Sequence, residues 1–302
     1  MNRKIKGLIV CVAGVLMIVG CSNKLAKLQK NGTVQEKYAA AINYYESKDY
    51  YRAGVLFEEI TPLLRGDSTA EKTQFYNAYC NYYQGLYQMS SYLFKNFYAT
   101  YANSPFAEEA YYMHAYSMFR DSPKYDLDQT STLAAIDALQ TFINTFPYSE
   151  YAPKSAQNLI DLRNRLERKD YQRAKQYYET SGVTIANYKA AVIAIDNFMK
   201  DFPDSPYKEE LMFIQLVAEQ KLAESTIFKL QNERFTKALG FYEDFVDAFP
   251  NSKYMKDAIK AYEAAQEGLE EVNEIQEKID AQKLEIKEKA AKAKEKETAP
   301  IN

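Results

Sequence analysis

The 302-residue chain has a net charge of −3, with 47% hydrophobic and 26% charged residues. This is a globular balance that gives nucleic acid no general electrostatic attraction. Ten glycines and nine prolines are too few for an all-β protein full of tight turns, and the recurrence of Ala, Glu, Lys, Leu and Gln favours helix.

At the N-terminus, Arg3, Lys4 and Lys6 precede an apolar run from Leu8 to Val19. A basic start, a short apolar stretch and small residues make a secretory signal peptide, 1–20. The run falls short of the roughly 20 residues needed to span a bilayer. Ile18-Val19-Gly20-Cys21 resembles the bacterial lipobox, which implies cleavage before Cys21 and diacylglycerol on its sulfur. An ordinary signal peptide or an uncleaved anchor that contains cysteine is the alternative. With Cys11 removed and Cys21 acylated, the mature chain keeps only Cys80 and forms no internal disulfide. Residues 21–33 read as a polar, flexible spacer between lipid and body. No acidic run follows the cysteine, so the body is expected in the periplasm.

Residues 34–266 repeat one phrase four times: "FYATYANSPFAEEA" from Phe97, "FINTFPYSEYAPKSA" from Phe142, "FMKDFPDSPYKEEL" from Phe198 and "FVDAFPNSKYMKDA" from Phe245. Each has an aromatic, a second aromatic four residues on, a serine at seven and an aromatic at nine. The second aromatics, Tyr101, Phe146, Phe202 and Phe249, are the predicted packing anchors between helices. Pro147, Pro203 and Pro250 stop the outgoing helix. Ser104, Ser149, Ser205 and Ser252 are predicted N-caps of the next helix, with Glu108 and Glu209 near enough for capping boxes and Pro105 and Pro206 at the first helical position. Upstream, Ser90, Ala135, Ala191 and Ala238 are small residues that admit a neighbouring helix. A fifth copy without the final phrase begins at Tyr50, preceded by a partner helix carrying Val34, Tyr38, Ala41 and Tyr45. The expected fold is all-α: an α-solenoid of about five helix pairs, followed by a charged C-terminal helix and tail over 267–302.

The second helices resemble the tetratricopeptide repeat, although these repeats exceed its usual length. At finer grain, "YDLDQTSTLAAIDALQTFINTFPYSEYA" (125–152), "LRNRLERKDYQRAKQYY" (162–178) and "YKAAVIAIDNFMKDFPDSPY" (188–207) look like the BamD family of outer-membrane β-barrel assembly lipoproteins. The resemblance implies a non-enzymatic scaffold at the outer membrane. Its partners would be the POTRA domain of the central barrel-assembly subunit and unfolded β-barrel clients. One departure is "ETSGVTIAN" (179–187), where the family has a short turn.

Seventeen of the 27 tyrosines lie between Tyr38 and Tyr125, some as adjacent pairs. Helical neighbours point about 100° apart, so both cannot occupy one seam. Tyr44, Tyr82 and Tyr112 are therefore the candidate wall of a peptide groove; wide inter-repeat packing is the alternative. No catalytic or metal-ligating set is expected: His114 is the only histidine, Cys80 sits in an aromatic helix where cysteine behaves as a small hydrophobe, and no phosphate-binding glycine loop occurs. No cofactor is expected beyond the covalent lipid. Two other classes stay open: a periplasmic repeat adaptor of envelope or division machinery, and a hydrolase on a helical scaffold. Cys21→Ser is expected to abolish the acyl mass on the mature N-terminus, measured by mass spectrometry of the envelope-extracted protein.

Overall fold

The computed structural model describes residues 24–64 and 66–297, with side chains as far as residue 290. Cys21 and the rest of the signal segment lie outside the described residues. Within them run twelve α-helices and no strand: α1 (24–31), α2 (Val34–Glu46), α3 (Tyr50–Ile60), α4 (Ala70–Tyr83), α5 (Tyr87–Thr100), α6 (Ala107–Asp121), α7 (Thr130–Thr145), α8 (Ala152–Glu179), α9 (Ala186–Asp201), α10 (Lys208–Ser225), α11 (Phe228–Ala248) and α12 (Met255–Glu297). The chain divides into two compact units between Arg165 and Leu166, inside α8. In unit 1, α2 to α7 each pack on their chain neighbours; in unit 2, α9 to α12 do the same. The five expected helix pairs are α2–α3, α4–α5, α6–α7, α8–α9 and α10–α11.

The core of unit 1 is two aromatic-rich clusters, one around Leu56, Phe57 and Cys80, the other around Phe75, Phe94, Phe97 and Phe142. Unit 2 is built on Tyr171, Ile195, Phe198 and Leu211, then on Phe235, Phe245 and Ala258. The small residues Ser90, Ala135, Ala191 and Ala238 are all fully buried, as close helix approach requires.

The repeated phrase works differently from the expectation in two respects. The deep anchors are its first aromatics: Phe97, Phe142, Phe198 and Phe245 are at most 1% exposed. Tyr101, Phe146, Phe202 and Phe249 are half-buried C-caps, each donating its backbone N–H to the first aromatic's carbonyl. The helix unwinds at that residue, which turns the ring to the cluster's edge, 5.1–6.1 Å from the first ring.

The serines are not N-caps. Each stands three residues before the helix and accepts the N–H two residues on, at 3.0–3.1 Å, holding the turn. Pro105 and Pro206 accordingly lie in the turn. The serine hydroxyls of three copies donate to a carboxylate at the start of the same pair's first helix: Ser104 to Glu71 (2.5 Å), Ser149 to Glu108 (2.5 Å) and Ser252 to Glu209 (2.7 Å). Glu108 and Glu209 thus serve the serine that follows one repeat later, not a capping box. The ninth-position aromatic stacks on a ring of that first helix in every copy: Phe106 on Phe75 (4.8 Å), Tyr151 on Tyr112 (4.5 Å), Tyr207 on Tyr171 (4.0 Å) and Tyr254 on Phe213 (4.9 Å).

Both ends of the repeat body depart from expectation. Residues 24–31 of the expected spacer are helical, with Leu25 packed on the first cluster. The C-terminal segment expected from 267 is continuous with α12, and Gly268 at its start lies mid-helix; a Cβ there would stand 2.4 Å from the ring of Phe235. The glycine marks close approach, and the helix runs on through Glu297.

Phe142→Ala or Phe198→Ala is expected to cost about 3–5 kcal/mol in denaturant unfolding. Phe146→Ala should cost less, being half-buried, and Gly268→Ala should lower the melting temperature by forcing Phe235 aside.

Candidate peptide-binding surface

The three tyrosines expected to form one wall have three different environments. Tyr44 on α2 is half-buried beside the first cluster, with the Arg52 guanidinium 5.6 Å from its ring centre. Tyr82 on α4 is half-buried in the second cluster, where Arg120 donates to its hydroxyl (3.0 Å) and to that of Tyr87 (2.8 Å). Tyr112 on α6 is only 8% exposed, enclosed because α6 packs on both α5 and α7. Its ring is stacked against Tyr151 and, at 5.4 Å, Tyr116. Tyr112 is therefore a core residue and not part of a wall. Its neighbour Tyr111, the member expected to pack, is half-buried and stacks on Tyr98 at 4.3 Å. Burial pushes the phenols of Tyr82 and Tyr112 up to about 12.

An open groove of about 460 Å³ does occur in unit 1, lined by Glu58, Thr61, Pro62, Gln74, Asn77, Asn81, Met89 and Leu93. Gln74 and Asn81 stand half-buried two turns apart on α4, with Asn77, only 8% exposed, at the floor between them, and Met89 and Leu93 come from α5. Asn81 Nδ2 donates to the Asn77 carbonyl (2.9 Å), and Gln74 Nε2 to the Tyr101 hydroxyl (2.9 Å), which orients these amides. A carboxamide offers both a donor and an acceptor, the same pair that a peptide unit presents. Met89, half exposed, supplies an adaptable apolar surface. The seven-residue spacing that puts Gln74 and Asn81 on one helical face was the available sequence signal, overshadowed by the tyrosines around it.

Cys80 is fully buried, and burial pushes its thiol up to about 12, so it is not a thiolate at neutral pH. His114 Nδ1 is engaged by the Ser91 hydroxyl (2.8 Å) and carbonyl (3.0 Å), and burial lowers its basicity. Among the described residues, no group of three or more His, Cys, Asp or Glu is placed to hold a metal, and no helix is long and apolar enough to cross a membrane.

Residues 30–187 and 183–283 match the protein family described as YfiO, outer membrane lipoprotein. The chain belongs to this family. The two matched segments meet at 183–187, within the departure noted at 179–187, where the backbone between α8 and α9 leaves Val183 and Ile185 exposed. Among curated proteins the chain is similar to the outer membrane protein assembly factor BamD of Neisseria meningitidis serogroup A, 23% identical over 213 residues, 67% of this chain and 78% of the relative. It is likewise similar to that of Neisseria gonorrhoeae, 22% identical over the same shares. The protein is thus BamD-like, with an all-α repeat fold.

The raised phenols make stability fall in alkali. Each is raised above its ordinary value of 10, so its contribution is complete below about pH 10 and lost as pH rises through the folded value. Absorbance at 295 nm and circular dichroism are expected to show these tyrosines ionising together with unfolding. Tyr112→Phe should move that transition to higher pH.

Proposed function

We propose that the protein is a non-enzymatic scaffold for assembling outer-membrane β-barrel proteins, anchored to the outer membrane by lipid on Cys21 with its body in the periplasm. The observation that carries this reading is the family match running through both helical units, together with relatives named as assembly factors. In this reading unit 1 receives an extended segment of an unfolded barrel client. Such a segment carries unpaired backbone N–H and C=O groups until it enters a sheet. The half-buried amides of Gln74 and Asn81 suit those groups, and Met89 and Leu93 suit alternate apolar side chains. Unit 2 is proposed to hold the POTRA domain of the central barrel subunit.

A labelled peptide from the terminal strand of an outer-membrane barrel protein tests the groove. Gln74→Ala with Asn81→Ala is expected to weaken its binding about tenfold or more, at roughly 0.5–1.5 kcal/mol per hydrogen bond. Phe249→Ala in unit 2 should leave peptide binding unchanged while reducing co-purification of the barrel subunit. Undiminished peptide affinity in the double variant, with the fold intact by circular dichroism, sinks the groove assignment. Co-purification with division or cell-wall proteins, and without a barrel subunit, would favour the adaptor.

A further inference from the structure

The segment from Ser22 to Gln35 contains three lysines and no Asp or Glu, in a chain whose net charge is −3. Lys24, Lys27 and Lys30 recur every third residue of α1, so they cover an arc of about 120°. All three are exposed, and none enters an ion pair among the described residues. Leu25 and Leu28 occupy a different arc, and Leu25 is packed on the first cluster.

The direction of this basic face is fixed by two devices. Lys37 on α2, 8% exposed, donates to the Gln29 carbonyl (2.9 Å) and pairs with Glu59 on α3. Its charge is used internally, and it ties α1 to the first helix pair. Gly32 closes the turn by donating its N–H to the Leu28 carbonyl (2.8 Å), where a Cβ would stand 2.6 Å from that oxygen. The basic face is therefore a docked surface of unit 1. It begins three residues after Cys21, a reach of about 10 Å at full extension.

We propose that the Lys24–Lys27–Lys30 face of α1 binds anionic phospholipid headgroups of the leaflet that holds the acylated Cys21, so that unit 1 meets the membrane in one orientation. The proposal rests on the lipid-anchor reading. Its physical basis is charge complementarity within a Debye length of the surface, about 8–10 Å at physiological salt. An acyl anchor followed by a basic cluster is a two-signal attachment, in which each lysine near an anionic surface strengthens binding about fivefold. The docking of α1 makes those signals set an orientation as well as an affinity.

The test uses the full mature chain carrying Cys21→Ser, so that no acyl group dominates binding. It is sedimented with phosphatidylcholine vesicles with and without phosphatidylglycerol. The protein is expected to bind the anionic vesicles at low salt and to leave them at high salt. Adding K24Q, K27Q and K30Q should weaken that binding by about 100-fold, while K278Q, K283Q and K287Q on α12 should leave it unchanged. Circular dichroism checks that both triple variants fold. Equal binding by the α1 variant, an equal loss in the α12 variant, or no preference for anionic vesicles would each overturn the basic face. The anchor is read separately: absence of acyl mass on native Cys21, with vesicle binding intact, would overturn the anchor and leave the lysine contact standing.

Discussion

Each repeat depends on a chain reversal fixed by aromatic stacking. After the second helix ends, the ninth-position ring returns to lie on a ring of the first helix, at 4.0–4.9 Å in all four copies. Stacked rings remove large apolar areas from water and restrict the angle at which the next helix can leave. In three copies the serine hydroxyl adds a hydrogen bond to the carboxylate at that helix's start. A pair is thus closed on itself before its neighbour is added. That is the condition under which repeat stability becomes a sum of internal and nearest-neighbour terms.

The positions that carry the helices were legible because they keep fixed distances within one phrase. Pro147, Pro203 and Pro250 just past the helix ends, the small residues at Ser90, Ala135, Ala191 and Ala238, and the five pairs all follow from spacing alone. What escaped were contacts whose sequence separation varies. Phe106 lies 31 residues from Phe75, whereas Tyr151 lies 39 from Tyr112, so no single period reveals the stack. The same variation hid the bonds of Glu71, Glu108 and Glu209, and proximity in sequence suggested capping boxes instead. The spacer was misread for a different reason: its polar composition conceals Leu25, one apolar residue with a core to join.

The tyrosines show how composition can indicate a surface and still misplace it. Unit 1 uses most of its rings for packing, with hydroxyls held at the margin: Arg120 binds Tyr82 and Tyr87, and Glu109 accepts from Tyr79. A phenol suits this position because its body is apolar and its tip is polar. The open groove of this unit is lined instead by residues between the rings, the carboxamides of α4 and the apolar side chains of α5. Of Tyr44, Tyr82 and Tyr112, the last belongs to the core, and the other two are half-buried against the clusters.

Cys80 faces Gly54 across the α3–α4 seam, so near that a Cβ on the glycine would lie 3.3 Å from the cysteine's own. A thiol reagent reaches its sulfur only when that seam parts, and reacts quickly only with the thiolate that burial suppresses. The rate of alkylation of the native protein is consequently a clock for breathing of the first repeats, with no probe introduced. Slower labelling in the presence of a bound segment would report how far that segment clamps the seam shut.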